Sequence, residues 1–426
     1  YILSIEVKLE KIKIFTLSDH PLSPSGVGIQ TRYMIEAMLK TGKYQFISFG
    51  GAIKHDNYEP TRTEEHGEDW TIYPVDGYGT QDMVRSVIRN EKPDIMWLMT
   101  DPRFWGWLWE MENEIRPLLP IVYYHVWDNK PYPLYNRPSY ESNDVIATIS
   151  KVTDDIIENV APSVEKVYLS HAVDTDIFKK VDNSEVTKFK DSQPEFKNEN
   201  KFIFFWNNRN ARRKMTGSLM FWFKEFLDKV GHDKACLVMH TDPYDPYGQD
   251  LYMVMEKLNL TNGEILISTN KYEPQVLAVL YNMADCTINI SDAEGFGLAT
   301  LESLACETPI IVNMTGGLQQ QVTDGENWFG IGIEPASRAI IGSLEVPYIY
   351  EDRISKEDFI NALLKMYHMD DKEREELGRK GREHVLKEHN FENFSKQWDE
   401  LFTHVYEKHG SWDNRKNHNS WSLMEI

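Results

Sequence analysis

Two carboxylates and a knot of cations stand out by residue type and spacing. Glu294 and Glu302 share the segment SDAEGFGLATLESLACETPIIV, Ser291 to Val312. Asp292, Gly295 and Gly297 predict a loop, and Leu298, Leu301, Leu304 and Ala305 fall at helical spacing behind it. Pro309 then ends the helix, and Ile310 to Val312 reads as a short buried strand. A carboxylate bordering a buried face needs a partner, because an unpaired buried charge is expensive. Sugar hydroxyls, or a nearby Lys or Arg, would serve. The cations are Arg209, Arg212, Arg213 and Lys214, just after the apolar run Phe202 to Trp206. Arg offers a planar fork for phosphate and Lys a compact charge; a solvated basic turn is the plainer alternative. Pro21, Pro24, Gly26 and Gly28 predict a loop opening an amphipathic helix over Ile29 to Leu39, and backbone N–H groups at such a start suit an anion. His125 ends the apolar stretch PIVYYHVWD, and ligands of open α/β sheets collect beyond the carboxyl ends of strands.

EGFGLATLE resembles the E-x7-E signature of retaining glycosyltransferases with the GT-B fold, specifically glycosyltransferase family 4. The resemblance implies that Glu302 holds the ribose of a sugar nucleotide. It sets Glu294 beside the donor sugar and brings the backbone of Gly295, Phe296, Gly297 and Leu298 against sugar and phosphates. Arg209 and Lys214 have the family's Arg-to-Lys spacing, which implies a pair of cations on the donor diphosphate, where leaving-group charge develops. Gly26 and Gly28 match the family's loop after the first strand, placed against that diphosphate. His125 matches a His near the reacting sugar. KVYLSHAVDTDIF (Lys166 to Phe178) is similar to the family's strand-plus-GVDxxxF turn, with Ala172 where Gly is common. Asp174-Thr175-Asp176 could be mistaken for a metal-binding DxD, but its place before Phe178 reads as a capped turn. No metal or cofactor is expected beyond the nucleotide-sugar donor, whether UDP-, GDP- or ADP-linked.

The elements that must position these groups alternate strand and helix from Lys11 onward, which predicts parallel sheets with helices on both sides. Expected strands include Lys11–Leu17, Tyr44–Gly50, Thr71–Val75, Pro93–Met99, Val145–Ser150, Lys234–His240 and Glu264–Ser268. The expected architecture is α/β, GT-B, with two Rossmann-like domains facing across a cleft. Residues 1–185 would form an acceptor-side domain and 186–390 a nucleotide-sugar-binding domain. Residues 391–426 would be a helix crossing back to the first domain plus a polar, fraying tail. Lys179 to Asn200, polar and without apolar periodicity, reads as the linker. Ser337 to Asp352 is longer than the usual connection and has no assignment. RFWGWLW (Arg103 to Trp109) is read as packing.

At 426 residues the chain is long enough for two or three domains, and a 41% hydrophobic fraction suits a folded protein. The net charge of −21 argues against a nonspecific nucleic-acid surface, which needs a basic patch. Cys236, Cys286 and Cys306 lie in apolar contexts without paired spacing, as buried thiols of a reducing compartment do. The amino-terminal YILSIEVKLEKIKIF is broken by charges and lacks a small-residue cleavage site, so it is not read as a signal peptide. The missing initiator Met suggests an incomplete or processed start. No stretch reads as a transmembrane helix, the expected setting is cytoplasmic, and peripheral membrane contact stays open. The expected function is retaining hexosyl or pentosyl transfer from a nucleoside-diphosphate sugar to an unidentified acceptor. A glycosyltransferase modifying DNA bases or another polymer, a GT-B epimerase or phosphorylase, and a non-catalytic binding subunit are the alternatives.

Overall fold

The computed structural model of the chain describes residues 10–194 and 201–418. The chain forms two compact units. One contains residues up to 127, then 132–171 and 391 onward; the other contains 128–131 and 172–390.

The first unit is built on eight strands: β1 (Ile12–Asp19), β2 (Tyr44–Gly51), β3 (Thr61–Arg62), β4 (Trp70–Pro74), β5 (Ile95–Met99), β6 (Ile121–His125), β7 (Val145–Thr148) and β8 (Glu165–Tyr168). They lie in the order β3-β4-β2-β1-β5-β6-β7-β8, all parallel except the edge pair β3–β4. Strands β5 and β6 are buried along their whole length, as parallel strands covered on both faces are. The sequence order reverses at β1, whose neighbours are β2 and β5. Helix Phe391–His409 belongs to this unit: Trp398 is fully buried with its ring 4.9 Å from that of Tyr124. The residues after it do not fray as expected. Ser411 donates to Asp94 at 2.6 Å, Trp412 to the Pro93 carbonyl at 2.9 Å, and Arg415 to Asp144 at 2.9 Å. These partners lie far back in the chain, so local polarity could not reveal them. Residues 419–426 of the expected tail, and 1–9 at the start, lie outside the described residues.

The second unit holds six parallel strands: β9 (Phe202–Asn207), β10 (Ala235–His240), β11 (Ile265–Ser268), β12 (Cys286–Asn289), β13 (Ile310–Asn313) and β14 (Gly330–Ile333). Their order is β11-β10-β9-β12-β13-β14. A two-stranded antiparallel hairpin, β15 (Ser337–Ile341) and β16 (Ile349–Arg353), fills the stretch that had no assignment. The core packs Phe204, Trp206, Phe223, Phe226, Leu237 and Ile288 between sheet and helices.

The chain enters the second unit after residue 171 rather than 185. Val173 donates to the His389 carbonyl, and Arg382 donates to the carbonyls of Thr175 and Phe178. These bonds bind the 173–178 turn into the second unit. Within that turn Asp174 accepts from the amides of Asp176 and Ile177 at 3.0 and 3.1 Å, as a capped turn does. The expected linker contains a helix, Asn183–Ser192, capped by Asp182 through the Ser184 amide. None of the helix's residues is fully buried, so no apolar stripe announced it. Residues 195–200 of that segment lie outside the described residues. Among the described residues no helix is long and apolar enough to cross a membrane.

Candidate functional site

In the second sheet β9 and β12 are neighbours, yet the chain leaves β9 toward β10 and returns on the other side at β12. Loops leaving the carboxyl ends of two such strands diverge and leave a crevice, the usual ligand position in an open α/β sheet. The loop after β9 carries the cations, and the loop after β12 carries Glu294.

Glu294 is 8% exposed. Its Oε2 accepts from Lys214 Nζ and from Asn289 Nδ2 at 3.3 Å, and Arg213 Nη1 stands 3.6 Å away. Burial works to raise this carboxyl, but Lys214 and Arg213 overcome that and hold it down at about 2. Lys214 is itself buried; desolvation and the neighbouring Arg213 lower its ammonium to about 8, against the pull of Glu294. Arg213 also donates to the Ala293 carbonyl at 2.5 Å, and the Arg213 carbonyl accepts from the Asp292 amide at 2.8 Å. The two loops are therefore laced together through charge and backbone alike.

Beyond Glu294 the chain turns at Gly297, whose φ of +89° begins helix Leu298–Ala305. That left-handed conformation favours glycine, and a Cβ there would also meet Leu318 at 2.6 Å. Gly295, Phe296, Gly297 and Leu298 thus form the sharp entry to a helix whose first N–H groups have no intrahelical partner. Gly316, at φ +50°, lies so close to the Glu294 carbonyl that any Cβ would collide with it. On the next turn of the helix Glu302 accepts from the Tyr281 hydroxyl at 2.7 Å, and Asn207 donates to that same hydroxyl at 2.9 Å. Burial pushes Glu302 up to about 7, only partly offset by the Tyr281 bond.

The remaining cations turn elsewhere. Arg209 was expected beside Lys214. It instead donates to Asp245 at 2.6 and 3.2 Å, lies over the Tyr247 ring at 4.7 Å, and is largely exposed. Arg213 takes the place next to Glu294, because the short helical turn Arg212–Lys214 directs consecutive side chains apart. Arg212 pairs with the buried Glu351 of the hairpin. The hairpin also contacts the loop that carries Glu294: the Asp352 amide donates to the Asp292 carbonyl at 2.9 Å. Arg353 stands 3.8 Å from Asp292, whose burial raises its carboxyl to about 6.

In the first unit Gly26 and Gly28, expected in a loop before a helix from Ile29, instead form the first turn of helix Gly26–Lys40, and the Gly28 amide donates to the capping Ser25 hydroxyl at 3.0 Å. Gly28 is also required sterically, since a Cβ would meet the His20 carbonyl at 2.6 Å. His125 ends β6, fully buried. Its Nε2 is 2.9 Å from the Tyr140 hydroxyl, its Nδ1 has no hydrogen-bond partner among the described residues, and burial lowers it to about 3. It is a neutral imidazole at any ordinary pH.

Asn289, Tyr281, Asp245 and Glu351 escaped the sequence reading. Asn289 alone had a signal, as a polar residue closing an apolar strand. The others come to the site through long-range contacts.

Two Rossmann-like parallel sheets with this strand order define a fold of the GT-B class, and residues 187–384 match the family model "Glycosyl transferases group 1". Among solved structures, a sucrose-phosphate synthase from Thermosynechococcus elongatus is similar at TM-score 0.74 and 16% identity, over 93% of this chain and 100% of that one. Anabaena HepE, solved in complex with UDP and glucose, is similar at TM-score 0.67 and 13% identity, over 92% of this chain and 99% of that one. Among curated proteins, a D-inositol 3-phosphate glycosyltransferase of Thermomonospora curvata is 41% identical over 76 residues, 17% of this chain. One from Acidothermus cellulolyticus is 43% identical over 76 residues, also 17% of this chain. These matches span 18% and 17% of the relatives' own lengths.

Proposed function

We propose that the chain is a glycosyltransferase of family 4 type, moving a sugar from a nucleoside-diphosphate sugar to an acceptor hydroxyl with retention of anomeric configuration. The observation that carries this reading is the buried Lys214–Glu294 pair with Arg213 beside it, at the switch crevice and next to a glycine-opened helix start. Two cations against one carboxylate leave positive charge for a diphosphate, and fixed charges in a desolvated site need no reorganisation when leaving-group charge appears.

In this reading Lys214 and Arg213 neutralise the diphosphate, and Arg209 adds a third cation at its outer edge. Glu302 takes the ribose hydroxyls. Glu294, ionised throughout, accepts from hydroxyls of the transferred sugar and cannot act as an acid. The bond from the anomeric carbon to the diphosphate oxygen breaks, and the acceptor oxygen bonds to that carbon on the same face. The acceptor's proton passes to the departing phosphate, so no enzyme nucleophile is required. Side-chain cations rather than a metal supply the positive charge in this scheme. A UDP-sugar donor is favoured, since UDP is the nucleotide described with HepE. The three buried free thiols suit a cytoplasmic setting.

The test is Lys214→Ala, assayed for free nucleoside diphosphate together with a new glycoside. Turnover should fall at least ~100-fold while the circular-dichroism spectrum keeps its folded form. Undiminished turnover rejects the diphosphate role, and an epimerised nucleotide sugar as sole product rejects transfer.

A further inference from the structure

The loop after β10 contains a tandem repeat, Asp242-Pro243-Tyr244 then Asp245-Pro246-Tyr247. Each Asp Oδ1 accepts from the amide of the Tyr two residues on, at 2.9 Å in both copies. Proline sets the intervening φ, so each triplet is a stiff turn. The second copy grips the cation-bearing loop. Asp245 receives Arg209 Nε and Nη2, and the Tyr247 ring lies under that guanidinium. The Tyr247 carbonyl accepts from the Arg212 amide at 3.0 Å. Behind them the fully buried Asn210 donates to the Gln249 carbonyl at 2.7 Å and accepts from Thr216 at 2.8 Å. Gly248 packs so closely on Asn210 that no side chain would fit.

A basic turn would otherwise have freedom to collapse onto any carboxylate of an acidic chain. Here one edge of Arg209 is held by Asp245 and one face by Tyr247, while Nη1 makes no hydrogen bond among the described residues, on a side chain 59% exposed. A guanidinium fixed in plane and edge loses less freedom on meeting a phosphate than a mobile one.

We propose that Asp245, with Tyr247, is a positioning residue that aims the Nη1 edge of Arg209 at the diphosphate of the donor. This rests on the proposed donor site. The acid–aromatic clamp holds the arginine in a ligand-ready orientation before the nucleotide arrives.

Asp245→Asn is the informative change, because Asn keeps the Oδ1 acceptor for the Tyr247 amide while replacing the charged Oδ2 acceptor of Arg209 Nε by an uncharged NH2 donor. UDP binding is measured by titration calorimetry on the full chain, with GDP and ADP in parallel, for wild type, Asp245→Asn, Arg209→Ala and the double variant. The clamp predicts a three- to tenfold weaker UDP affinity for Asp245→Asn, and no further loss when Asp245→Asn is added to Arg209→Ala. Equal loss in both backgrounds means that Asp245 acts elsewhere and overturns the proposal. So does unchanged or tighter binding by Asp245→Asn, the latter showing that Asp245 sequesters Arg209. Lys214→Ala separates the two levels. If it abolishes UDP binding while Asp245→Asn has no effect, only the clamp fails; if it binds UDP like wild type, the donor site fails and the clamp with it.

Discussion

Replacing Glu302 by Gln should make the protein more stable and a poorer binder of nucleotide at the same time. The carboxyl moves from its ordinary 4.5 to about 7 because burial strips it of water, and the single Tyr281 bond recovers only part of that loss. Between pH 4.5 and 7 the folded chain keeps a proton that the unfolded chain has released. Stability therefore falls as pH rises through that window and stays low above it. The shift corresponds to at most about 3 kcal/mol, since each pKa unit is worth about 1.4 kcal/mol. Glutamine preserves an oxygen for the Tyr281 hydroxyl and has nothing to titrate. Urea unfolding of both proteins at pH 4.5 and pH 8 reads the effect. The two should be nearly equal at the lower pH, with the variant ahead by up to about 3 kcal/mol at the higher. UDP affinity at pH 8 should drop about tenfold, as expected when a charged hydrogen-bond acceptor to ribose becomes neutral. Parallel pH–stability curves for the two proteins would refute the buried-carboxylate reasoning, and intact UDP affinity would refute the ribose assignment.

Two further outcomes complete the set. UDP affinity should decline above pH 8, by up to about tenfold per pH unit, because neutral Lys214 must take up a proton to meet the diphosphate; calorimetry in two buffers of different ionisation enthalpy counts that proton, and affinity flat to pH 9.5 contradicts it. Gly316→Ala should cost more than about 2 kcal/mol by thermal or urea unfolding, since it adds left-handed strain to a collision with the Glu294 carbonyl; wild-type stability would show that the two turns can part freely.

The alternation of apolar strands and amphipathic helices made the central strands of both sheets legible from the sequence, because parallel strands buried on both faces leave unbroken apolar runs such as Ile95–Met99, whereas the edge strands β3 and β14 went unread. Glycine was equally informative where the backbone demands it, at Gly297. Features held by distant partners were hidden. Helix Asn183–Ser192 has no buried residue, and the hairpin's first strand, Ser337–Ile341, is mostly exposed, so neither carries the period that betrays an element. The tail after His409 looks disposable until Asp94, Asp144 and Pro93 come beneath it. In the site, spacing singled out Glu294, Glu302 and Lys214, each of which lies in the loops or helix around the β9–β12 switch. It could not say which of four neighbouring cations shares Glu294, because a short helical turn fans Arg212, Arg213 and Lys214 in different directions.

The hairpin joins the rest of its unit by ions as much as by oil. Glu351 is gripped by Arg212 of the loop after β9, and Arg353 stands 3.8 Å from Asp292. The sheet behind it coheres through Phe204, Trp206 and Ile288. Brine weakens the first kind of bond and tightens the second, while urea slackens the apolar core. The Ser291–Glu294 loop thus leans on a buttress whose strength follows the ionic content of its surroundings, and the proposed sugar transfer would inherit that sensitivity.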